Sequence, residues 1–380
     1  MPADILSRRH IEINRTKLYV DNLPLRDFDG ELYDTYLRAI PTDALTSLKM
    51  ASPTPPLTTR LDSLKRLLTE ASRLETFHYD DRGQGTRFTF TGNERLPAFK
   101  ELNLRSYDWN HGSDVVLKHW DFSQIQHLKL VDVPMFPFLT SIAFPDLRQL
   151  RTLHCEDFSA HLPEKREEAT RGLDLLVRQI WALNTLKLTC HTRLFPVVDT
   201  LLRHAGSLRM LRLRDHVGFG DEERRCPTLR ASDLARLAAH GGGLVHLRAL
   251  ELDMDVALCD DPPLFLRALC AFPRLHSLVL HTQTVLRPLE EEVAPLGTDR
   301  DYDAAMGIFA ALARGRQSAG AVTWRSVTVN VGGWRHVMVR RMGEAWREQN
   351  ARGVFAERCF VMERGEGGGM VVREEMAVET

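Results

Sequence analysis

An apolar hexapeptide, L-x-x-L-x-L or a close variant, returns along most of this chain and limits how it can fold. It reads Leu45/Leu48/Met50, Leu74/Phe77/Tyr79, Phe99/Leu102/Leu104 and Ile125/Leu128/Leu130. It continues with Leu150/Leu153/Cys155, Leu183/Leu186/Leu188, Leu208/Leu211/Leu213, Leu247/Leu250/Leu252 and Leu275/Leu278/Leu280, and a degraded copy stands at Trp324/Val327/Val329. The starts at 74, 99, 125 and 150 lie 25 or 26 residues apart. Such a period marks a stack of similar units, none of which can bury its apolar face alone. Within x-x-L-x-L, alternate residues of a short strand point to opposite faces, so the leucines go inward and the residues between them outward.

The segments between the strands carry helical spacing. Leu61, Leu64, Leu67 and Leu68 fall on one stripe of a helix. Leu173, Leu175, Leu176, Ile180 and Leu183 behave alike, as do Val197, Val198, Leu201 and Leu202. Shorter stretches at 233–237 and 264–269 repeat the pattern. The fold expected is α/β: a solenoid of about ten irregular repeats, its parallel sheet curved by a wider layer of outer helices. Residues 1–40 are expected to cap one end, 41–335 to form the solenoid and 336–380 to close the other end with a helix (Glu344–Asn350) and a hairpin. The N-terminal cap reads as a strand at Lys17–Val20 and a helix at Glu31–Ala39. The C-terminal hairpin reads as strands at Val354–Glu363 and Met370–Glu374 about the Gly365–Gly369 turn, fraying from Val372 onward. Three longer intervals (150 to 183, 213 to 247, 280 to 324) hold polar loops ahead of helices, the last over Tyr302–Ala313.

Fifty basic residues against fifty-one acidic ones give a net charge of -1, so no global field recommends a nucleic-acid partner. The first twenty residues lack the apolar stretch of a signal peptide, and no apolar run is long enough for a membrane span. The six cysteines show no disulfide-framework spacing. An intracellular protein, cytoplasmic or nuclear, is expected.

The L-x-x-L-x-L series is similar to the leucine-rich-repeat superfamily over residues 40–335. The irregular spacing with helical connections, and the stretches Leu96–Trp109 and His119–Ser123, resemble the F-box/leucine-rich-repeat proteins of filamentous fungi. That resemblance implies a substrate receptor in a cullin-based ubiquitin ligase, its F-box gripping a Skp-type adaptor. The chain departs from the pattern at its start. Leu23-Pro24-Leu25 with Glu31-Leu32 only echoes the opening L-P-x-E-L, and the first repeat strand begins by Leu45, which leaves little room for an F-box.

The outward strand positions are His78 and Asp80, Asn103 and Arg105, Lys129, His154 and Glu156, Lys187 and Thr189, Arg212 and Arg214, Glu251 and Asp253, and His281. Arg105, Lys129, Lys187, Arg212 and Arg214 would form a basic stripe beside acidic Glu251 and Asp253, suited to a protein partner of complementary charge. Tyr107 and Trp109 would supply aromatic anchors. The opposing reading is an ordinary solvated strand face. No catalytic motif, metal site or cofactor is read from the chain. Asp253, Asp255, Asp260 and Asp261 lack the spacing of a calcium loop, and the pairs Cys190-His191 and His154-Cys155, with Cys226, lack that of a zinc site. Arg214-Asp215-His216 invites a general-base reading but has no nucleophile motif beside it. A non-enzymatic scaffold is therefore expected first. A hydrolase or transferase using the 214–227 loop, and RNA or small-ligand binding on the basic stripe, remain as alternatives.

Overall fold

Each repeat contributes one short strand, because its two inward leucines need a buried layer on one face only. The computed structural model describes residues 17–24, 37–51, 61–80, 86–156, 163–190, 198–215, 228–255, 259–282, 300–331, 358–365 and 369–375. The protein is α/β, with a mostly parallel sheet and helices, and its backbone packs as two compact units, residues 1–183 and 184–380. The dividing point falls within the segment expected to be a single solenoid.

Unit 1 holds β1 (Leu18–Pro24), β2 (Leu45–Ala51), β3 (Thr76–Asp80), β4 (Glu101–Arg105), β5 (His127–Val131) and β6 (Thr152–Glu156), all parallel and paired in chain order. Unit 2 holds parallel β7 (Thr185–Cys190), β8 (Met210–Asp215), β9 (Ala249–Met254), β10 (Ser277–Thr282) and β11 (Ser326–Val331). It ends with β12 (Arg358–Arg364) and β13 (Met370–Glu375), added antiparallel.

The register matches repeat to repeat. Leu48, Phe77, Leu102, Leu128 and Leu153 stand side by side in unit 1, and Leu186, Leu211, Leu250, Leu278 and Val327 do so in unit 2. All are buried, Leu128 and Leu211 each within its own unit. Burying one such side chain contributes about 1.5–3 kcal/mol.

A latch of backbone hydrogen bonds sets this register. The Glu75 carbonyl accepts from Lys100 N–H (2.8 Å) and Glu101 N–H (3.0 Å), the Lys100 carbonyl from Gln126 and His127, and the Gln126 carbonyl from Arg151 and Thr152. In unit 2 the carbonyls of Asn184, Arg209, Arg248 and His276 each take two N–H groups from the next strand entry in the same way. One acceptor oxygen satisfies two donors because a carbonyl has two lone pairs.

The helices of unit 1 are α1 (Leu61–Glu70), α2 (Ser113–His119), α3 (Met135–Ser141) and α4 (Arg166–Gln179); those of unit 2 are α5 (Val198–Leu202), α6 (Ala231–Ala238), α7 (Pro262–Ala271) and α8 (Arg300–Ala319). Buried Leu64, Leu67 and Leu68 form the stripe read from the sequence of α1. The Asp261 carboxylate caps α7 by accepting Leu264 N–H at 2.9 Å, with Pro262 and Pro263 in the first turn, where a missing N–H costs nothing. α8 runs beyond the expected Tyr302–Ala313 because its buried stripe (Ala305, Ile308, Phe309, Leu312) continues one turn to Arg316. That guanidinium donates to the carbonyls of Cys270 (2.7 Å), Phe272 (2.7 Å) and Leu275, and lies 4.0 Å from the Trp324 ring centre. It satisfies carbonyls left open where α7 ends.

The C-terminal edge does not fray at Val372 as expected. Val372 to Glu375 pair with β12, and Arg373 reaches Glu363 at 2.6 Å while Arg358 reaches Glu374 at 2.7 Å. The predicted helix Glu344–Asn350, most of the helix Glu31–Ala39 and the middle of the Gly365–Gly369 turn lie outside the described residues. At the other end, Leu23 and Pro24 close strand β1 rather than opening a helix.

Tyr107 and Trp109, expected as exposed anchors, are fully buried. They follow β4 into an aromatic cluster, where Trp109 lies 4.8 Å from both Trp120 and Phe138, ring centre to ring centre, and its indole N–H donates to Ser141 Oγ at 2.9 Å. Rings of this size bury far more area against one another than a single outward strand position offers. Tyr107 Oη accepts from Phe88 N–H and donates to His111 Nε2, both at 2.9 Å. Burial, followed by the charges of Arg87 and His119, lowers the His111 pKa to about 4.

A pH dependence follows with a definite sign. The unfolded chain protonates His111 near pH 6.5, whereas the folded one holds it neutral to about pH 4. The unfolded state therefore binds more protons over that window, and stability falls as pH falls through it. Urea unfolding at pH 7 and pH 4.5 should show a loss about 2–3 kcal/mol larger for the wild type than for His111→Gln, which keeps an acceptor without titrating. Equal losses would refute the assignment.

Candidate functional site

The outward strand faces hold most of the charged residues singled out above, and the two units treat them differently. In unit 1 the row Lys49, His78, Asn103, Lys129 and His154 stands side by side across β2 to β6. His78 Nε2 lies 2.7 Å from Glu101 Oε1, and His154 Nε2 lies 2.6 Å from Glu156 Oε1. Lys129 and Arg105 are exposed, and neither has an ion-pair partner among the described residues. Between His78 and Lys129, the Asn103 side-chain oxygen is buried with no hydrogen-bond partner among the described residues. An acceptor in that state costs about 1–3 kcal/mol unless something meets it.

In unit 2 the expected basic stripe is cancelled internally. Arg212 Nε pairs with Glu251 Oε1 at 3.2 Å, and Arg214 Nε with Asp253 Oδ1 at 3.3 Å. Asp253 also accepts Asp215 N–H at 2.7 Å and is buried. Asn330 donates to His281 Nδ1 (3.2 Å), so His281 carries its proton on Nε2 and donates it to Glu251 at 3.0 Å. Burial pushes the Glu251 carboxyl up, but the His281 hydrogen bond and the Arg212 charge outweigh it and hold the carboxyl below its ordinary value. The acidic neighbour that the sequence placed beside the stripe thus neutralises it. Lys187 sits in register with Arg212, half-buried, and has no ion-pair partner among the described residues.

The remaining candidates have structural duties. Asp260 accepts Ala231 N–H at 2.9 Å, Asp261 caps α7, and the Asp255 N–H donates to Thr228 Oγ at 2.7 Å. Cys155 and Cys190 are buried. Among the described residues no group of three or more His, Cys, Asp or Glu side chains is arranged to hold a metal ion. His191, His216, Cys226 and the rest of the 216–227 loop lie outside the described residues. No described helix is long and apolar enough to cross a membrane.

No protein-family model and no curated protein matches the chain.

One set of residues escaped the reading of the sequence. Arg209, Arg248 and Arg325 occupy the position just before β8, β9 and β11, and Arg274 precedes β10 by three residues. The signal was visible as a basic residue after the first apolar position in S-L-R-M-L-R-L, H-L-R-A-L-E-L and T-W-R-S-V-T-V. Alternation within the strands does not reveal it, because these residues stand before the strands begin.

Proposed function

We propose that this chain is a leucine-rich-repeat scaffold that holds a partner protein on its outward strand face and is not an enzyme. One observation carries the reading. In-register parallel strands place Lys129 beside the unmet Asn103 acceptor, with Arg105 two residues further along the same strand as Asn103, and neither cation has an ion-pair partner among the described residues. Cations without an internal partner are available to one outside, and neighbouring strands about 4.8 Å apart offer them at fixed spacing. The paired rows of unit 2 support a secondary, pre-ordered contact area rather than the charge that selects the partner.

Leu23 and Pro24, the nearest echo of an F-box opening, belong to a strand paired with β2.

Affinity capture from native cells, with wild type and Arg105→Glu/Lys129→Glu side by side, tests both levels. The double reversal should reduce recovery of the specific partner at least about tenfold, equivalent to about 1.4 kcal/mol. Exposed substitutions of this kind leave stability within about 0.5 kcal/mol, so melting should not move. Undiminished recovery overturns the proposal. Recovery without a Skp-type adaptor keeps the scaffold and removes the ligase role.

A further inference from the structure

At the strand-entry edge of unit 2, a cleft of about 280 Å3 is lined by Asn184, Ser207, Arg209, His246, Arg248 and Arg274 around Gly206. Its residues come from four successive repeats. Asn184, Arg209 and Arg248 occupy the latch position before β7, β8 and β9, while Ser207, His246 and Arg274 stand three residues before β8, β9 and β10. Two rows of side chains therefore converge from one repeated backbone geometry.

Every polar side chain on that lining can donate a hydrogen bond. Arg274 Nη1 donates to His246 Nδ1 at 3.1 Å, which leaves the His246 proton on Nε2. The three guanidinium groups are exposed and have no ion-pair partner among the described residues. No Asp or Glu occurs in segments 201–214, 234–250, 262–282 or 314–331, which supply this edge. Unit 1 provides the contrast at the same latch position. There Glu75 pairs with Lys100 at 2.8 Å, Gln126 is neutral, and Arg151 donates to the Ala182 carbonyl at 3.3 Å. The fold thus does not require cations at the latch, and unit 2 holds them together against mutual repulsion. The same field acts next door, where burial and then the charges of Arg325, Arg248 and Arg316 hold His276 below its usual range.

We propose that this cleft binds the phosphoryl group of a phosphate monoester. Guanidinium forks match phosphate oxygens two at a time, and a dianion offsets three cations better than one carboxylate does. The cleft has room for one such group and for part of the moiety that carries it. A nucleic-acid backbone fits less well, because single-strand binding leans on aromatic stacking and His246 is the only ring on the lining. The site shares no residue with the Arg105–Lys129 face, so either proposal can fail alone.

Isothermal titration of the full chain with sodium phosphate, in excess chloride, should show one saturable site. Arg248→Gln and Arg274→Gln should each weaken it about tenfold or more with unchanged melting, while Arg95→Gln, whose arginine pairs with Asp121 elsewhere, should not. Should one cleft variant misfold, the other decides. No saturable binding, or binding indifferent to both cleft substitutions, overturns the proposal. A phosphoserine peptide that competes with phosphate places the monoester on a protein, and one that fails to compete places it on a small molecule. A single-stranded RNA oligonucleotide that binds more tightly than phosphate overturns it in favour of a phosphodiester.

Discussion

Trp109→Ala should destabilise unit 1 by about 3–5 kcal/mol, the usual range for removing a large ring from a close-packed interior. The ring is fully buried between Trp120 and Phe138, and its indole N–H bonds to Ser141, whose hydroxyl donates onward to the Phe138 carbonyl at 3.0 Å. Alanine leaves a void that Phe122 and Tyr107, packed around the same ring, cannot both fill without abandoning their own contacts. Trp109→Phe keeps much of the volume and loses the hydrogen bond, so its penalty should be about half. Urea unfolding of the purified chain measures both. A loss below about 1 kcal/mol for the alanine variant would mean that the ring is exposed, as an anchor for a partner would be, and would reinstate the sequence expectation.

Arg316→Met should cost unit 2 about 2–4 kcal/mol. Methionine keeps most of the volume of the buried stem but leaves the carbonyls of Cys270, Phe272 and Leu275 without their donor. Each stranded acceptor costs about 1–3 kcal/mol. Part of the sum is offset, because a buried cation is itself unfavourable: burial pulls the Arg316 pKa down to about 10. Arg316→Lys keeps the charge and gives up the planar fork, so it should recover only a fraction of the loss. Full rescue by lysine, or a loss below about 0.5 kcal/mol for methionine, would contradict the role assigned to the guanidinium.

The strand positions were legible because the inward leucines repeat, and burial strictly alternates at Thr76–Asp80, His154 and its neighbours, and Ser326–Val331. The start of α6 was legible from Ser232 and Asp233 ahead of Leu234 and Leu237. Three things were not. Tyr107 and Trp109 follow a strand whose alternation suggests exposure, and only the arrival of Trp120 and Phe138 from later in the chain buries them. Arg316 continues the apolar stripe of α8 as a charged residue, which hydrophobic patterning reads as the end of a helix. The cancellation of Arg212 and Arg214 by Glu251 and Asp253 joins residues far apart in sequence, so charge counted along the chain overstated the stripe. In each case the missing information was a neighbour from another repeat.

The latch carbonyls tolerate very different intervals between strands. β7 and β8 are close in sequence, β10 and β11 far apart, yet both pairings keep their partners aligned. A one-residue slip would turn every leucine toward water, so alignment is held at the strand entrances and not by the length of chain between them. Evolution can therefore lengthen or trim the connecting segments of this protein while its interior stays as it is. The length of the connecting segments and the alignment of the interior are thereby uncoupled by single carbonyl oxygens at the strand entrances.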